Sequence, residues 1–105
     1  MRQRKYILIR NKNGEIELRF GYPIYHRDLL NRKENPHDCL GGGKWCIDDA
    51  DMSIILYGSS DDFGTPQRKD LEKAIKDFDE WKHFEWVCRN IYKTEIHLNR
   101  VIKIQ

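Results

Sequence analysis

Hydrophobic and polar positions alternate along much of this chain, and the alternation gives way to a helical period after residue 65. Ile16, Leu18 and Phe20 fall on one side of an extended segment, with Glu15, Glu17 and Arg19 on the other. That is the pattern of a strand with one wet face. A β-rich run at residues 6–9 precedes it, and Asn13-Gly14 lies between the two; Asn-Gly is a strong hairpin signal. Residues 5–20 are therefore expected to form a hairpin, closed off by Gly21 and Pro23. A second hairpin is expected to pair residues 44–48 with 52–58 around the turn Asp48-Asp49-Ala50-Asp51. Trp45 and Ile47 share one face of its first strand. The second strand, with Ile54, Ile55 and Leu56, is apolar at most positions, which predicts a central strand covered on both faces.

The period then changes. Leu71, Ala74, Ile75 and Phe78 fall at i, i+3, i+4 and i+7, one face of a helix. Thr65 suits its N-cap and Pro66 its first turn. Phe84, Val87, Cys88 and Ile91 keep helical spacing, although Phe84, Trp86 and Cys88 also alternate; the spacing is read as a short second helix. Ile96 with Leu98, and then Ile102 with Ile104, read as one or two strands. The expected fold is a single α+β domain over residues 1–105. It has an antiparallel sheet of about five strands, built from two hairpins, with the helices packed on one side.

Composition narrows the class. Hydrophobic residues make up 39% and aromatic residues 11%, enough for one core. The charged fraction of 34% is above the usual ~25%, which predicts a heavily ionised surface. No apolar run approaches the roughly 18 to 20 residues needed to span a bilayer, so no membrane partner is expected. The apolar stretch at residues 6–9 ends in Arg10 and is too short for a secretory signal. Cys39, Cys46 and Cys88 are an odd number without repeated spacing, which argues against a disulfide framework and for reduced thiols in the cytoplasm.

Charge is unevenly spread although 19 basic and 17 acidic residues leave a net of only +2. Residues 1–37 carry nine basic and four acidic groups, whereas residues 38–62 carry one basic and six acidic. The basic start, with Arg2, Arg4, Lys5, Arg10 and Lys12, is interrupted further on by acids, and no nucleic-acid-binding motif accompanies it, so nucleic acid is not the expected partner.

Two glycine-marked segments bracket the second hairpin. Entering it are His37, Asp38, Cys39, Leu40, Gly41, Gly42 and Gly43; leaving it are Gly58, Ser59, Ser60, Asp61, Asp62, Phe63 and Gly64. Antiparallel pairing brings both to the same end of the sheet. Three successive glycines permit close backbone approach or positive φ. Neither segment matches a P-loop or a dinucleotide fingerprint, and no cofactor is expected. His26, His37, Asp61 and Cys39 are the catalytic candidates: a thiol needs a lowered pKa and a base within hydrogen-bond reach. His26-Arg27-Asp28 and His37-Asp38-Cys39 are short spacings without the further ligands a metal site needs. The expected function is a non-enzymatic module that binds another protein through Gly41, Gly42, Gly43, Ser59, Ser60, Asp61 and Asp62, together with the acidic segment 48–62. The alternative is a small hydrolase-like enzyme or a metal- or ligand-binding protein using the same loops.

Overall fold

The computed structural model describes residues 2–92 and 94–98. Among them are six strands and one α-helix: β1 (Lys5–Arg10), β2 (Ile16–Gly21), β3 (Cys39–Asp48), β4 (Ser53–Tyr57), α1 (Arg68–Lys76), β5 (Glu85–Tyr92) and β6 (Thr94–Leu98). They form one sheet in the order β2-β1-β3-β4-β5-β6. The α+β class holds, with two corrections to the sheet: it has six strands rather than about five, and it is mixed. β4 and β5 run parallel, from Ser53 opposite Glu85 to Tyr57 opposite Arg89, while every other neighbouring pair is antiparallel. A parallel pair needs a crossover of a dozen or more residues, and residues 58–84, with α1 inside them, supply it.

The first hairpin is as the alternation predicts, with Lys5 opposite Gly21 and Arg10 opposite Ile16. The expected second helix is a strand, β5. Trp86 and Cys88 enter the core as the alternating reading requires. Beyond them the pairing with β6 shifts register between Cys88 and Tyr92, with Asn90 at φ 61°. That bulge turns Ile91 back toward the core and so produces helical spacing in a strand. The expected strand at Ile102 and Ile104 lies outside the described residues.

One core fills the space between α1 and the sheet. Tyr6, Leu8, Leu18, Ile54, Leu56, Trp86 and Cys88 meet Leu71, Ala74 and Ile75 of the helix, all buried. Phe78 packs on the same core just past the helix end. The helix starts at Arg68, later than Thr65 and Pro66 suggest. Pro66 is instead fully buried, and its carbonyl accepts a hydrogen bond from the Tyr92 hydroxyl at 2.8 Å, so this residue belongs to the packing beneath the helix. On the opposite face, the 3-10 turn His26–Leu29 packs over β1 and β2. Arg19 holds the following loop through hydrogen bonds to the Leu29 carbonyl at 2.9 Å and to both carboxylate oxygens of Glu34 at 2.6 and 3.0 Å.

Candidate functional site

The glycine run is strand, not loop. Gly41, Gly42 and Gly43 lie inside β3, opposite Leu8, Ile7 and Tyr6 of β1, and all three are buried. A bulge at Leu40 precedes Gly41, whose φ is +140°. Close approach explains the composition. A Cβ on Gly41 would lie 2.4 Å from the Pro66 nitrogen, and one on Gly42 would lie 2.4 Å from the Tyr6 carbonyl oxygen. Neither position has room for a methyl group. Buried in this way, the run offers no surface for a partner to touch.

The two glycine-marked segments do meet: the Gly42 amide donates to the Gly64 carbonyl at 3.0 Å. His26 joins them. Its ring is buried, and Nε2 donates to the Gly43 carbonyl at 2.8 Å. Burial holds the imidazole pKa below its ordinary value; the hydrogen bond to Gly43 and the charges of Asp62 and Asp61 work the other way, and Lys5 adds to the lowering. Asp62 reaches the Arg27 side chain at 3.4 Å. Ser60 is buried, and its hydroxyl accepts from the Phe63 amide at 3.1 Å, within a small turn closed by Ser60 and Gly64. Ser59, Asp61 and Asp62 are exposed.

This junction is poorly suited to nucleophilic chemistry. Burial pushes the Cys39 thiol above its usual pKa, against a lowering by the Gly41 carbonyl contact at 3.6 Å and by Arg19. A catalytic thiol needs the opposite shift. His37 is exposed on the 3-10 turn Pro36–Asp38, where its backbone amide donates to the Asn35 side chain at 2.9 Å. Among the described residues, no three His, Cys, Asp or Glu side chains are grouped to hold a metal ion. No helix there is long and apolar enough to cross a membrane. The acidic segment 48–62 is not one surface either: its two acidic ends lie at opposite ends of β4, about 17 Å apart for five extended residues.

A different surface stands out. Because Trp45, Ile54, Leu56, Trp86 and Cys88 face the helix side, the alternate residues of β3, β4 and β5 project from the other face. This corrects the expectation that β4 is covered on both faces: on the second face Ser53 and the neighbouring Val87 are buried, but Ile55 and Cys46 are only half-buried and Tyr57 is 38% exposed. Register arranges these residues in three rows across the strands. Lys44, Tyr57 and Arg89 form one row, Cys46, Ile55 and Val87 the next, and Asp48, Ser53 and Glu85 the third. A depression of about 420 Å³ is lined by Cys46, Ile55, Tyr57, Gly58, Arg89 and Asn90. A second, of about 380 Å³, continues past Cys46 and Tyr57 to Lys44, Trp45, Arg4 and Tyr22. There the Arg4 guanidinium lies 5.5 Å from the Tyr22 ring centroid and 5.4 Å from that of Trp45, within cation–π range.

The sequence holds the signal for this face in the alternation of Lys44, Cys46 and Asp48 with Trp45 and Ile47. Which face stays open is decided by the placement of α1. Compared with models of known protein families and with curated proteins, the chain matches none.

Proposed function

We propose that this chain is a non-enzymatic protein-binding module that works in the reducing cytoplasm through the open face of β3, β4 and β5. The observation that carries the reading is the half-buried pair Cys46 and Ile55 at the centre of the face, with charged rows on both sides; Val87, next in the row, is itself buried. Ile55 and the 38%-exposed Tyr57 border a depression. An apolar centre inside a charged rim is the anatomy of a protein interface. Tyr22 and Arg4, of types enriched among interface anchors, stand at its edge. The three unpaired thiols fit a reducing compartment.

The test compares proteins retained by the immobilised wild-type chain with those retained by Ile55→Asp and by Asp61→Asn, with circular dichroism confirming that each variant is folded. The reading expects Ile55→Asp to abolish retention and Asp61→Asn to leave it intact. Equal retention by wild type and Ile55→Asp overturns it.

A further inference from the structure

Resting on that binding reading, we propose that the partner on the open face is a second copy of this chain, related by a two-fold axis lying along the Cys46–Ile55–Val87 row. The face carries opposite charge on its two sides. Lys44 and Arg89 bound the apolar row toward one end of the strands, Asp48 and Glu85 toward the other. Rotation about the central row reverses the strand direction and keeps each strand over its own counterpart. Lys44 then faces Asp48 of the other copy, Arg89 faces Glu85, and Ile55 packs on Ile55. An isologous contact requires this kind of self-complementarity.

Charge also selects the axis. A two-fold running along the strands would set the Lys44 and Arg89 rows of the two copies against each other, and like charges opposed in this way are penalised. The same division disfavours a uniformly anionic ligand such as a nucleic-acid strand, because half the face would repel it.

The charged groups have partners within the chain, and these leave capacity for the second copy. Arg89 donates to Glu95 at 2.8 Å across a half-exposed pair. Glu85 contacts His97, and Asp48 accepts from the Asp51 amide at 3.2 Å through one oxygen. Exposed pairs of this kind hold weakly and re-pair at low cost. The Lys44 stem lies 3.9 Å from the site where a Gly58 Cβ would stand. Two sheets packed face to face lie about 10 Å apart, a gap that Lys and Arg side chains bridge.

Sedimentation equilibrium of the purified chain tests the inference. At concentrations up to about 200 µM and moderate salt, the expected species has twice the 12.7 kDa monomer mass and weakens as salt rises. Ile55→Asp is expected to be monomeric. Lys44→Asp and Asp48→Lys, both at half-buried positions, should each weaken association about tenfold or more, and the double exchange Lys44→Asp/Asp48→Lys should restore it. A monomer throughout, or a dimer indifferent to Ile55→Asp and to the charge exchange, overturns the inference. If the purified chain stays monomeric while immobilised wild type still retains protein in an Ile55-dependent way, self-pairing falls and the binding reading stands. If retention is also indifferent to Ile55, both fall.

Discussion

The imidazole of His26 donates from Nε2 to the carbonyl oxygen of Gly43 at 2.8 Å, tying the 3-10 turn over β1 to the middle of β3. The bond is buried, and its consequence is a pH dependence of stability. The folded pKa lies below the unfolded value of about 6.5. The unfolded state therefore binds a proton first as pH falls, and stability is lost from about pH 6.5 downward, toward the folded pKa. His97 works oppositely: Glu85, then Glu95, raise its pKa, so its contribution is present at low pH and lost as pH rises. It is exposed and screened. Thermal melts between pH 7.5 and 5.5 should show a drop in Tm that His26→Gln reduces. An unchanged slope in that variant would assign the dependence elsewhere.

Gly42 sits where a Cβ would approach the Tyr6 carbonyl to 2.4 Å, whereas Gly14, at φ +80°, has open space around it. Gly42→Ala should therefore cost about 3 kcal/mol through overpacking. Gly14→Ala should cost about 1 kcal/mol, from backbone strain alone. Urea midpoints at constant m-value give both numbers. Equal costs would show that β3 yields where the packing says it is rigid.

Tyr6 is fully buried, and its hydroxyl has no hydrogen-bond partner among the described residues. Removing an unpaired buried hydroxyl relieves a desolvation penalty. Tyr6→Phe should match or exceed wild-type stability by up to about 1 kcal/mol. Tyr6→Ala should cost about 3 to 5 kcal/mol, as large-to-small core changes do. A destabilised Tyr6→Phe would reveal a partner for the hydroxyl.

Cys88 is buried, and burial pushes its thiol up to about 11. Near pH 8 this leaves it about a hundredfold less thiolate than an ordinary cysteine. In the folded chain Cys88 should resist iodoacetamide until the protein unfolds, and Cys39, also raised, should react slowly. Mass spectrometry of the alkylated peptides over time gives the order. Rapid, selective modification of Cys39 at neutral pH would revive the enzyme reading.

How much of this was legible beforehand depends on how local each signal is. The β1–β2 hairpin is written in a few adjacent residues: Asn13-Gly14 sets the turn, and Ile16, Leu18 and Phe20 set the buried face. The helix is legible for the same reason, since Leu71, Ala74 and Ile75 face the core on consecutive turns. The β5 strand is misread because Asn90 and its neighbours form a bulge, and the spacing of Val87, Cys88 and Ile91 then mimics a helix. The buried state of Gly41, Gly42 and Gly43 is invisible in sequence because the atoms that exclude a side chain, from Tyr6 and Pro66, are distant along the chain.

By itself, then, the sequence determined which segments pair and turn locally in the two hairpins and which side chains share a face of β2, β3 and β4. It also determined that three thiols and a nearly balanced charge would have to be accommodated. Only the tertiary structure decided that β5 returns parallel to β4, which face α1 covers, and that Lys44, Tyr57 and Arg89 stand in one row. The physical reason is that periodicity records which residues point the same way, whereas burial depends on what arrives from elsewhere to cover them. Here the helix crossing covers one face of β3, β4 and β5 and leaves the charged rows and the strip around Ile55 on the other.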